Sequence, residues 1–132
     1  MNIKVLEIKD SGDFMNERIL FSVEEKCNLG RFLVAHSRLL SEKVFSSKLQ
    51  EIYWFPDKEI SKGDLVVLYS KRGESNSVLN ADGTNTHFYY WGLDKPLANP
   101  ERDCLVLLDA SWHVTPLPQQ VSQIDAEPEA GS

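Results

Sequence analysis

The chain reads as one antiparallel β-sandwich, and three observations lead there. Short runs of β-branched and aromatic residues recur along it, bounded by Gly, Pro, Asn, Asp or Ser clusters, and seven to nine such strands fit between Ile3 and Leu117. The densest apolar segment, Gln50 to Lys71, has the form strand, tight connection, strand. The length of 132 residues fits one domain, and a chain of that size buries roughly two thirds of the surface it exposes when unfolded. It needs neither disulfide nor metal to fold.

Ile3 to Lys9 alternates, with Ile3 and Val5 on one side and Lys4, Leu6 and Ile8 on the other, as a first strand does. Asp10-Ser11-Gly12-Asp13 turns the chain, because glycine accepts positive φ and the short polar side chains bond local backbone. Arg18 to Glu24 is the second strand, with Ile19, Phe21 and Val23 inward. Leu29, Phe32, Leu33, His36 and Leu40 stand at helical spacing, whereas Phe32 and Val34 also suit a strand. Arg31 to His36 is read as strand, and 38–49 as a connection holding one helical turn. Ile52 to Phe55 is a strand that Pro56 ends by withdrawing a ladder donor.

Ser61-Lys62-Gly63-Asp64 turns into Leu65 to Ser70, which is apolar on both faces and so suits a central strand. Lys71 to Thr86 is a polar loop of sixteen residues, a length usually functional or mobile. His87 to Trp91 is an aromatic strand and Pro96 to Arg102 a loop. Cys104 to Leu108 is the most hydrophobic strand, followed by a short last strand, Trp112 to Leu117. The sandwich is therefore expected over 1–118. The segment 119–132 has few large apolar residues and no basic ones, which predicts a disordered acidic tail.

Fourteen basic against twenty acidic residues leave a net charge of −6, three units of it from Asp125, Glu127 and Glu129. That balance argues against nucleic acid and against an anionic membrane surface, both of which require a Lys/Arg footprint. Cys27 and Cys104 lack metal-ligand spacing and read as small hydrophobes. Met1 to Glu7 has no apolar signal core, and no run approaches the ~18 apolar residues of a span, so the expected location is cytoplasmic.

Several short motifs carry a family resemblance. Leu29-Gly30-x-Phe32-x-Val34 resembles the Leu/Met-Gly-x-Trp-x-Ile strand of lamin tail domains. Ile52-Tyr53-x-Phe55-Pro56 resembles their Tyr-x-Phe-Pro, and Ile60-x-x-Gly63-x-Leu65-Val66-Val67-Leu68-Tyr69 their Leu-x-x-Gly-x-x-Val-x-x-Trp/Tyr. Cys104 to Val114 resembles the closing Leu-x-Leu-x-Asp-Ala hairpin. The likeness spans residues 3–117. It departs at Phe32, where tryptophan is usual, in the long Ser37 to Gln50 connection, and at Ser111-Trp112. It implies an immunoglobulin-like β-sandwich of lamin-tail type that binds or scaffolds, with no catalytic residues to carry over. Its alternation places Val66, Leu68, Ser70, Tyr53 and Phe55 inward and Trp54 outward.

Candidate chemistry is sparse. Asn80-x-Asp82-Gly83-x-Asn85 has the oxygen-rich look of half a calcium loop, but lacks the twelfth-position glutamate and flanking helices. A plain turn is the favoured reading; a weak cation site completed by Asp103 or Glu101 is the alternative. His36, His87 and His113 match no metal spacing. Cys104 with His113 could pair as thiol and base across a hairpin, although an apolar strand silences a thiol.

The sharper signal is aromatic. In 87–91, His87, Tyr89 and Trp91 share one face, and an uncovered face would let Tyr89 or Trp91 join Trp54 in a binding patch. The 37–50 connection or the last strand would otherwise cover it. The expected function is a non-enzymatic interaction module, monomeric or weakly dimeric and without cofactor. Its partner is expected to be a protein or peptide, or a glycan, held through Trp54, Tyr89, Trp91 and the loop residues Asn80, Asp82 and Asn85. The alternative is a small enzyme or cation binder using Asp82/Asn85 or Cys104/His113.

Overall fold

The computed structural model describes residues 1–97 and 102–118 and is an all-β sandwich. Its strands are β1 (Ile3–Lys9), β2 (Arg18–Val23), β3 (Cys27–Asn28), β4 (Phe32–Ser41), β5 (Val44–Phe45), β6 (Glu51–Trp54), β7 (Glu59–Ile60), β8 (Leu65–Tyr69), β9 (Asn76–Leu79), β10 (Asn85–Tyr90) and β11 (Asp103–Asp109). The first sheet runs β1-β2-β8-β10-β9, and the second is built on β4, with β11 on one edge, β6 on the other and β5 at its far end. A two-stranded ribbon, β3 with β7, bridges one end. The ladders among the described residues are antiparallel except β8 with β10, which run parallel in the register Val66↔His87 and Leu68↔Tyr89. β9 occupies the edge beyond β10, so the chain leaves β8, passes to the edge and returns.

The core lies between the sheets. Ile19, Phe21 and Val23 point into it from β2, as their alternation predicts, and Val66 and Leu68 from β8. Phe55, just past β6, joins the sheets, with ring centroids 5.6 Å from Phe21 and 5.4 Å from Tyr89, both edge-on. Such contacts suit the ring quadrupole and add to the area buried. Leu105 and Leu107 of β11 pack on the same core, so Cys104, Val106 and Leu108 face away from it.

A buried carboxylate ties one end together. Glu17 is fully buried and accepts from the backbone N–H of Gly12 (2.8 Å), the N–H of Leu97 (2.8 Å) and the Ser70 hydroxyl. Three segments distant in sequence thereby share one anion, whose lost hydration these donors replace.

Three sequence expectations are corrected. The 38–49 stretch holds no helical turn: β4 runs on to Ser41 and folds back into β5, because strand pairing satisfies the backbone that a lone helical turn would leave open. Lys71 to Thr86 is not a bare loop, since β9 pairs with β10 in a hairpin turned at Asp82-Gly83, where Gly83 has φ +90°. Trp112 to Leu117 is not a strand; Trp112, Val114 and Leu117 lie exposed after β11. The acidic tail, 119–132, and Glu101 fall outside the described residues.

Candidate functional site

The outer face of the second sheet is apolar where a solvated face would be polar. Alternation along β6 puts Tyr53 inward against the core and Ile52 and Trp54 outward. Register then aligns Ile52 with Ala35 and Trp54 with Leu33, and on the other side Ala35 with Val106 and Leu33 with Leu108. Three strands thus present Ile52, Trp54, Leu33, Val106 and Leu108 on one surface. Trp54 is 45% exposed and Ile52 51%. The Trp54 indole is fixed from below, donating to the Gly30 carbonyl at 2.7 Å, and from the side by Trp112, edge-on at 5.3 Å. Trp54, Trp112, Phe55, Pro56 and Asp57 line a shallow cleft of about 310 Å³.

The aromatic cluster expected from sequence does not form. Tyr89 is 5% exposed and belongs to the core, and burial raises its phenol pKa. Trp91 packs on the core beside Tyr53, 6.1 Å between centroids. Both therefore lie on the core side, whereas Trp54 points to the opposite face of its own sheet; β10's inward side is the one carrying His87, Tyr89 and Trp91. Trp112, the residue that does accompany Trp54, was hidden by its reading as an ordinary strand residue.

Asn80, Asp82 and Asn85 act as a turn. Asp82 accepts the Thr84 N–H (3.0 Å) and hydroxyl (2.6 Å), bonds that hold its carboxyl pKa low. Asn80 Oδ1 accepts from Thr86, and the Asn85 N–H donates to Asp64. Asp82 Oδ1 and Asn80 Oδ1 are thus engaged within the hairpin, and no group of three His, Cys, Asp or Glu among the described residues converges on a metal position. Cys104 sits opposite Ser37 in β11, its thiol pKa raised by burial and then by Asp103. His113 lies in the exposed stretch beyond, and no hydrogen bond joins the two among the described residues.

Sequence reasoning missed a polar group on the inner face of the first sheet. Ser77 of β9 lies directly opposite His87 of β10, and its hydroxyl is 2.8 Å from His87 Nδ1. The other ring nitrogen, Nε2, is 2.9 Å from Asp64 Oδ2. Asp64 also accepts the Asn85 N–H (3.0 Å) and the Ser61 N–H (3.1 Å). Burial opposes its charge, but these donors and His87 outweigh burial and hold its carboxyl pKa low. Three residues from separate stretches meet only through strand register, so no spacing in the sequence announces them. Comparison with protein-family models, with curated proteins and with solved structures finds no match, and the lamin-tail likeness rests on the motifs quoted above.

Proposed function

We propose that the chain is an interaction or scaffolding module of lamin-tail type that binds a protein or peptide through the outer face of its second sheet. One observation carries the reading: the middle of β11 and the 32–35 part of β4 are apolar on both faces, and two-sided apolar strands belong in sheets covered on both sides. One side faces the core; the other holds Ile52, Trp54, Val106 and Leu108 beside Trp112. A central aromatic anchor with aliphatic neighbours is the composition of a binding hot spot. The Trp54–Trp112 cleft suits one apolar side chain of the partner.

The test is selection of binders from a displayed peptide library on the wild-type chain, with Ile52→Ser/Trp54→Ser as counter-target. Peptides rich in aromatic and aliphatic residues that lose at least tenfold in affinity on the double variant support the reading. Absence of enriched peptides, or equal binding to both proteins, overturns it. A concentration-dependent dimer in sedimentation, abolished by the same substitutions, would replace the peptide with a second copy.

A further inference from the structure

We propose that Ser77 is an activated nucleophile, with His87 as its general base and Asp64 as the residue that positions the imidazole, and that it accepts the acyl group of small carboxylic esters. This second site rests on other observations than the apolar face, although Pro56 and Asp57 line both clefts.

The hydrogen-bond directions follow from the chemistry of the partners. Asp64 receives two backbone N–H groups and a ring nitrogen, so it is an ionised acceptor. In the neutral ring His87 Nε2 then carries the proton, and Nδ1 keeps its lone pair. Among the described residues the donor facing Nδ1 is the Ser77 hydroxyl, at 2.8 Å. The serine proton is thus aimed at a base whose far side is held by a carboxylate, the arrangement nucleophilic serine requires. The two ring nitrogens are exchanged relative to the serine-protease arrangement, yet either imidazole nitrogen can take the proton.

Burial is graded to match. The side chains of His87 and Asp64 are each 4% exposed, which fixes tautomer and orientation, whereas Ser77 is exposed on the edge strand. Ser77 lines a cleft of about 400 Å³ between β9 and the 56–58 segment, lined also by Tyr89. That is room for a small ester. Lys58 and Asp57 line the same cleft, a cation and an anion side by side, and Lys58 makes no ion pair among the described residues. A purely structural link from Asp64 to β10 would be satisfied by the Asn85 N–H and His87 alone; it does not account for an exposed serine held on the second ring nitrogen.

In the step, Ser77 Oγ bonds the ester carbonyl carbon as its proton passes to His87 Nδ1. The tetrahedral adduct expels the alkoxide, which leaves as the alcohol with that proton. Water then attacks acyl-Ser77, giving its proton to His87, and the acid departs with the serine restored.

The experiment uses the full chain with a fluorophosphonate probe and with p-nitrophenyl acetate. The serine oxygen displaces fluoride from phosphorus, and peptide mapping is expected to find one adduct, on Ser77. General-base help is typically worth 10²–10⁴-fold, so labelling should be roughly 100-fold faster than in the urea-unfolded chain. Ser77→Ala, an exposed change, should keep the circular dichroism spectrum and lose both adduct and ester turnover. Asp64→Asn should lower kcat for p-nitrophenyl acetate with little change in KM, since it disturbs the tautomer rather than the cleft. No adduct on Ser77, or equal ester hydrolysis by wild type and Ser77→Ala, overturns the proposal.

Discussion

Trp54 is half exposed, hydrogen-bonded through its indole and flanked by a second tryptophan. Full burial would make Trp54→Ala cost ~3–5 kcal/mol; with half the ring in solvent, the expected loss is about 1–2 kcal/mol, read from urea midpoints. Asp64 gives a pH signature. Its folded pKa lies below the unfolded value of roughly 3.9, so its contribution is present above about pH 4 and is lost as pH falls through the lowered value. Asp64→Asn should therefore narrow the gap between urea midpoints at pH 7 and pH 3; an unchanged gap would exclude Asp64 as a source of acid sensitivity. The thiols point the other way. Burial raises both Cys27 and Cys104, the nearby carboxylates Asp109 and Asp103 adding to it, so iodoacetamide at pH 7 should modify the native protein more slowly than the unfolded chain. Rapid native labelling of Cys104 would revive a thiol reading. Inward and outward assignments at 19–23 and 52–55 could be read from alternation because one face of each strand meets the core. Tyr89 and Trp91 could not be separated from a surface pair, because alternation says which residues share a face and not which face is covered.

Two short motifs act through the elements they join. Gly30 follows the Asn28 cap and lies against the 56–58 segment: a Cβ there would stand 2.2 Å from Asp57 Oδ1 and 3.1 Å from Asp57 Cα. The Leu-Gly-x-Phe and Phe-Pro motifs are thus two sides of one close approach. Gly30→Ala should push Asp57 away, break its 3.1 Å bond from the Asn28 amide and cost roughly 1–3 kcal/mol. Thermal melts would show it, and an unshifted Tm would mean the segment yields freely. Glu17→Ala is expected to be more severe, about 3–5 kcal/mol, because it strands the donors of Gly12, Leu97 and Ser70 together. Loss of amide protection at Gly12 and Leu97 in hydrogen exchange would localise the damage. Neither β5 nor β9 was readable as a strand. Val44–Phe45 and Asn76–Leu79 are short and exposed, so no periodicity marks them; each exists because a longer neighbour offers an edge.

The molecule as a whole mixes buried polar groups with exposed apolar ones. Buried polar groups lie on both sheets or at their strand ends, Glu17, Asp64, Ser70 and His87 with the first and His36 and Ser37 with the second, and both sheets also leave apolar side chains exposed, Val5, Leu6 and Ile8 on β1 and Ile52 and Trp54 on β6. The all-β sandwich was legible because strand runs and turn clusters recur through the chain. The parallel β8–β10 pair was not, since strand order is decided by which pairings bury the most surface, and composition is silent on it. The same holds for β11, which pairs along Phe32–Arg38 and so joins the last described strand to one from the first third of the chain. That distant pairing has a consequence for synthesis. Until β11 leaves the ribosome, β4 lacks a neighbour on one edge, and an unpaired apolar edge is a template for aggregation. A chain stopped at Arg102 should be insoluble or chaperone-bound, whereas one stopped at Pro118 should fold; a soluble, cooperatively melting 1–102 fragment would show that β11 is dispensable. Folding must also wait on loops of this span, which places refolding in the millisecond-to-second range typical of β-sandwiches. The last described strand is in effect a quality check: β4 can cover this apolar edge only after the chain has been made through β11.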